Sequence, residues 1–185
     1  MSSPTLLVIG DEVDLVAAAP LLEPDADVVI LPTAAAYTGV VEAGVRASQR
    51  CEGWGTTEVL LVSDRAGADT TYFADRVRRA DAVIVTNGSP MHLRTVLRDT
   101  ELGRSLAETS LLILEAEVAS VFGATMIDPR GGAPTTGLNL FDDRVFTTPS
   151  THVDRSASLL RSTDILCVVE SRSTWLRRND VWREL

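Results

Sequence analysis

The feature of this chain that most constrains its fold is a series of short apolar runs, rich in Val, Ile and Leu, that alternate with helix-patterned segments. The runs are Thr5–Ile9, Asp27–Leu31, Glu58–Val62, Ala82–Thr86 and Leu111–Leu114, with shorter ones at Val145–Thr148 and Ile165–Val169. Each is too short for a buried helix and is bounded by Gly, Pro, Asn or charged residues, which marks a strand apolar on both faces. Between them, helical spacing predicts helices over Val13–Leu22, Tyr37–Arg50, Asp69–Arg79, Pro90–Arg98, Leu102–Glu108 and Arg155–Arg161. Ser89 is placed to cap the Pro90 helix, with proline at its first position. Strand–helix alternation of this kind implies a parallel sheet with right-handed crossovers and helices on both faces. The segment after Gly123, rich in Gly, Pro, Asp and Thr, reads as a long loop, and the tail from Trp175 reads as amphipathic or irregular.

Such a sheet gathers functional groups at the carboxyl ends of its strands. Here those positions are Gly10, Pro32-Thr33, Asp64, Asn87-Gly88 and Glu115-Ala116. The length of 185 residues suits a single domain, 1–185, and 45% hydrophobic content supplies its core. With only 5% aromatics, aliphatic residues must fill most of that core. A net charge of -9 repels phosphate backbones and anionic lipid, which argues against nucleic-acid and membrane partners. Cys51 and Cys167 form neither a disulfide framework nor a zinc pattern, and read as buried thiols. No signal segment opens the chain and no apolar run could span a bilayer, so a cytoplasmic protein is expected.

Three segments resemble one family. VILPTAAAY, VTNGSPMHLRTVLRDT and MIDPRGGAPTTGLNLF are similar, in order and spacing, to motifs of the dipeptidase E/cyanophycinase-type serine hydrolases. The likeness runs from Leu6 to Phe141. It implies an α/β three-layer sandwich with a mostly parallel central sheet, class I glutamine amidotransferase-like. In that family the strand before the DPRGG segment ends in a nucleophile elbow of the form G-x-S-A-G-A. An elbow needs small residues around a serine held in a strained strand-to-helix turn. Here the corresponding residues are Leu114–Ala119, LEAEVA, and an ungapped count back from Asp128 sets Ala116 at the serine position. Alanine has no nucleophilic atom, Val118 is β-branched, and the flanking Glu115 and Glu117 oppose an oxyanion.

The resemblance sets either His152 or Ser150 at the family's histidine position, depending on how FTTPSTHVDR is aligned, Asp128 at an acidic position, and Glu170 in a later acidic segment. Ser120 is the one alternative nucleophile, although it lies a helical turn beyond the strand end. Glu115 and Glu117 read either as a carboxylate pair or as acids at a solvated helix N-terminus. Gly88 is a possible oxyanion donor in a turn opened by Asn87 and followed by Ser89. Arg130, with the N–H groups of Gly131 and Gly132, is a possible anion-binding loop. His92 reads as a surface or capping histidine. With two histidines and no ligand-spaced cluster, neither a metal nor a cofactor is expected.

The expectation is therefore a catalytically inactive homologue with a ligand-binding, regulatory or partner role. Its ligand would be a small molecule or peptide at the strand ends, and its partner another copy or an active paralogue. A hydrolase of small amides or aspartyl dipeptides, working through Ser120 or an activated water, is the second expectation. A structural or oligomeric subunit is the third, with Trp175 and Trp182 either packed on the sheet or forming a partner surface.

Overall fold

The structure, a computed structural model, describes residues 4–11, 13 and 15–185. Five parallel strands form, four of them where the apolar runs predicted them: β1 Thr5–Ile9, β2 Asp27–Leu31, β4 Ala82–Val85 and β5 Leu111–Glu115, while β3 is Thr56–Val59 and shares only Glu58 and Val59 with the predicted Glu58–Val62. The helices are α1 Val40–Arg50, α2 Arg65–Ala68, α3 Thr71–Arg79, α4 Pro90–Leu97, α5 Glu101–Leu106, α6 Ala116–Phe122 and α7 Val153–Leu159. Six further strands follow α6: β6 Thr125–Ile127, β7 Pro134–Thr136, β8 Arg144–Thr147, β9 Ile165–Val168, β10 Thr174–Arg178 and β11 Val181–Glu184.

Among the described residues the central sheet has seven strands in the order β11-β10-β1-β5-β4-β2-β3. Alternating residues of each strand enter two cores. Leu6, Val8, Val29, Leu31, Val83, Val85, Leu112 and Leu114 face the α4, α5 and α6 side. Leu7, Ile9, Val28, Ile30, Ile84 and Ile113 face α1 and a 3-10 helix at Leu15–Leu21. This two-sided burial is why the strands read as unbroken apolar runs. The expected three-layer, mostly parallel architecture is the observed one.

Local differences from the sequence reading have local causes. Residue 14 of the predicted Val13–Leu22 helix lies outside the described residues. The rest is 3-10, with Pro20 inside it, because proline removes a donor and crowds the preceding turn. The predicted Tyr37–Arg50 helix breaks at Gly39 (φ +119°), leaving a 3-10 turn at Thr33–Tyr37 before α1. The predicted Asp69–Arg79 helix starts at Thr71 as α3, since Thr70 is extended at its N-cap, and a separate short helix, α2, precedes it. The supposed loop after Gly123 contains the antiparallel pair β6–β7. β8 and β9 pair in parallel apart from the main sheet.

The tail is the largest correction. It is a hairpin, β10–β11, that adds antiparallel to β1. Its turn residues Asn179 and Asp180 sit at φ 51° and 61°, the left-handed pair that a tight two-residue hairpin demands. Trp182 is buried and donates through Nε1 to Asp143 (3.1 Å). Phe141, Phe146, Trp175 and Trp182 form an edge-to-face cluster with centroids 4.9–6.0 Å apart. The indoles are packed, as one of the two sequence expectations had it, and they fasten the hairpin to β8. No helix among the described residues is long and apolar enough to cross a membrane.

Candidate functional site at the strand ends

β5 ends at Glu115, and Ala116 opens α6 directly. Ala116 is 2% exposed and is not among the non-glycine residues with positive φ, so this strand-to-helix junction is relaxed where an elbow is strained. The side chain at this junction is the buried Ala116 methyl group.

Glu115 is not a solvated helix-end acid. Its side chain is 11% exposed and makes no cap bond to α6. Oε1 accepts from Arg50 Nη1 at 2.5 Å, and Oε2 accepts from the Asn87 backbone N–H at 2.7 Å. The carboxylate therefore ties the end of α1 to the turn after β4. Arg50 also donates to the Val13 carbonyl (3.3 Å).

Asn87 completes the link. Its side-chain carbonyl accepts from the Glu117 N–H at 2.9 Å, and its amide donates to Asp11 at 2.7 Å. The Glu117 N–H is the donor following Ala116, the position from which an oxyanion would be held. It is already engaged. Glu117 is exposed, and the nearby Gly88 N–H favours its anion. Although the carboxyl is open to solvent, the surrounding walls strip part of its hydration and raise its pKa. The charges of Asp11 and Glu115 push the same way, and the Gly88 N–H opposes them. The backbone donor that follows Ala116 thus has an internal partner. Glu115 and Glu117 diverge into separate networks and do not form an acid–base pair.

A cleft of about 240 Å³ opens beside this turn, lined by Gly88, Pro90, Glu117, Ser120, Ile127, Pro129, Thr147 and Thr148. Ser120 reaches it but is 6% exposed, and its Oγ donates back to the Glu117 carbonyl at 3.4 Å. That is helix back-bonding, and no His152 contact activates it among the described hydrogen bonds. His152 sits at the N-cap of α7, packed on Gly132, with its N–H on Ser150 Oγ (3.2 Å).

The remaining expected residues have partners of their own. Asp128 accepts from Arg130 at Nε (3.0 Å), Nη2 (2.7 Å) and the backbone N–H (2.9 Å), and its pKa falls to about 2 for that reason. The Gly131 and Gly132 N–H groups donate to the Asp128 carbonyl, so this loop is a closed turn with its donors spent. Ser89 caps α4 by accepting from the His92 N–H (3.3 Å). His92 Nε2 lies 3.0 Å from the Ser63 carbonyl and its ring packs edge-on to Tyr37. Glu170 lies just past β9, its carbonyl 2.2 Å from where a Cβ on Gly10 would stand. Among the described residues no group of His, Cys, Asp and Glu could hold a metal ion.

Sequence reasoning missed Arg50 and Asp11, which lie 65 and 76 residues from their site partners. The only available signal was the position of Asp11 at the end of β1, beside β5 in the sheet.

The two cysteines stand outside the chemistry. Burial pushes both thiols up to about 11. At pH 8 roughly a thousandth of each is then thiolate. Iodoacetamide is expected to leave both unmodified in the native protein and to alkylate both in denaturant, as read by mass spectrometry. Rapid native alkylation would contradict the buried placement.

A mostly parallel sheet between helices, with this junction at its carboxyl edge, defines a three-layer α/β sandwich. The chain is similar to a peptidase from an acI-B1 Actinobacterium, with a TM-score of 0.79 and 18% identity over 100% of this chain and 88% of that one. It is also similar to a Listeria monocytogenes EGD-e protein named for peptidase E, with a TM-score of 0.74 and 17% identity over 100% of this chain and 98% of that one. At such identities the likeness is one of fold. No family model and no curated protein matches the sequence.

Proposed function

We propose that this chain is a non-catalytic protein on the peptidase E-type fold, with a ligand-binding or regulatory role at the carboxyl edge of its sheet. One observation carries the reading. At the junction of β5 and α6 the chain offers a methyl group, while the neighbouring Glu117 N–H is engaged by Asn87. Acyl transfer needs both a nucleophile and donors aimed at the developing oxyanion. Here the first is absent and the Glu117 donor is taken.

The test is fluorophosphonate labelling together with turnover of small amides, esters and aspartyl dipeptides. The native protein is expected to stay unlabelled and inert. Ala116→Ser is expected to stay inert as well, because the restored hydroxyl would stand in a relaxed turn beside a Glu117 N–H that is already engaged. Labelling of the native protein that Ser120→Ala abolishes would replace this reading with the second one, a hydrolase with a relocated nucleophile. The position of Ser120 in the cleft beside Glu117 is what keeps that reading in view.

A further inference from the structure

We infer that the cleft between α4, α6 and the β6 and β8 strand ends is a binding site for a small primary ammonium ligand with a short apolar stem, held by the Glu117 carboxylate. The inference rests on the non-catalytic reading of the same edge and adds the chemistry of its ligand.

The case comes from the balance of donors and acceptors on the walls. Glu117 is the one charged side chain among the lining residues. A carboxylate offers about four lone-pair sites. Even with the Gly88 N–H nearby, lone pairs remain open to the cleft. Both hydroxyls with assigned partners spend their protons on carbonyls: Ser120 Oγ donates to Glu117 O, and Thr147 Oγ1 donates to Thr148 O at 3.3 Å. Their lone pairs are left as acceptors, and the Thr148 hydroxyl can turn either way. Pro90 and Pro129 contribute no N–H. The Glu117 N–H, which could have received an anion, is taken by Asn87.

A surface of acceptors around one anion selects a donor that is positively charged. An ammonium group carries three N–H donors and no acceptor, which matches that surface. Ile127 and the two proline rings give an apolar wall for a stem. At about 30 Å³ per water, the volume of about 240 Å³ is that of roughly eight waters, room for a short chain only. The Glu115 charge is met by Arg50, so the uncompensated negative potential comes from Glu117 and Asp11.

The experiment is a ¹⁵N–¹H NMR titration of the native protein with butylammonium, butyrate and butanol. Saturable shifts of the Gly88, Glu117 and Thr148 amides with butylammonium, and none with the other two, are expected. Glu117→Gln, checked for fold by its spectrum, is expected to weaken butylammonium binding roughly tenfold, the loss of one charge-assisted hydrogen bond. Binding by the native protein should also weaken as pH falls through the raised pKa of Glu117, since protonation removes the counter-charge.

Binding of butyrate, equal binding of butanol, or no saturable shift with butylammonium would each overturn the inference while leaving the non-catalytic reading intact. Serine-dependent fluorophosphonate labelling would instead remove that reading. The two failures are therefore separable.

Discussion

Gly88→Ala is expected to destabilise the fold by about 3 kcal/mol, seen as a fall of roughly 6–12 °C in Tm for a chain of this length. The cause is a close approach of two backbones. A Cβ on Gly88 would lie 2.3 Å from both the carbonyl carbon and oxygen of Ala34 and 2.7 Å from Ala35 N. These are main-chain atoms in the 3-10 turn after β2, and that turn cannot swing aside. It is held by Ala35 N–H on the Pro32 carbonyl (2.9 Å) and by Ser89 N–H on the Ala34 carbonyl (2.7 Å). Gly88 also has φ +155°, at the margin of the range that L-residues avoid, so strain adds little and the contact decides.

Two glycines serve as controls. At Gly53 (φ +92°) a Cβ would meet nothing within 4 Å, so Gly53→Ala measures backbone strain alone, about 1 kcal/mol. At Gly131 there is neither a contact nor a positive φ, and alanine there should be neutral within about 0.5 kcal/mol. Urea unfolding of the three variants checks the order. A Gly88→Ala protein as stable as Gly131→Ala would mean that the two turns do not touch.

That contact also explains which parts of the molecule could be read in advance. PTA after β2 and NGSP after β4 stood out as motifs because they face each other across adjacent strands, and the glycine records their approach. β1 and β2 were legible to the residue because runs buried on both faces can be nothing else at that length. The β10–β11 hairpin was not. Its strands carry Arg177, Arg178, Arg183 and Glu184, since it lies at the sheet edge, and the charges obscured the alternation of Trp175 and Trp182. Asn179-Asp180 was the available signal for its turn.

At the candidate site the residue types were legible but their partners were not. Glu115, Glu117, Asn87 and Gly88 were all marked by position at strand ends. Their meaning came from long-range pairs, Arg50 with Glu115 and Asp11 with Asn87, which no local pattern encodes. Hence Glu115, first expected as one of two acids at a solvated helix end, is instead a buried tie. The LEAEVA segment differs from an elbow in more than its missing hydroxyl. It belongs to a network in which Arg50 and the Asn87 N–H meet Glu115, and the Asn87 side chain meets Asp11 and the Glu117 N–H.

Glu115→Ala therefore tests the network at its centre and is expected to cost about 2–3 kcal/mol. Most of that cost falls on the Asn87 N–H, which loses its acceptor in a partly buried turn; an orphaned donor there is worth about 1–3 kcal/mol. The Arg50 side contributes less, because its side chain is already 35% exposed and water can replace the carboxylate. Glu115→Gln keeps the shape and one acceptor but cannot serve both donors with a full charge, so about half the loss is expected. Arg50→Ala should fall below Glu115→Ala, and the double variant should cost less than the sum of the singles, because removing either partner removes the same bond. The measurement is urea unfolding of the four proteins, with the Asn87 and Glu117 amides followed by hydrogen exchange. Faster exchange at both is expected in Glu115→Ala, since an untied Asn87 backbone loosens the side chain that caps α6. Native stability in Glu115→Ala, with Asn87 still protected, would mean that the turn after β4 is held by its packing on Ala34 alone, and that the Arg50–Glu115–Asn87 tie has no part in keeping the Glu117 N–H engaged.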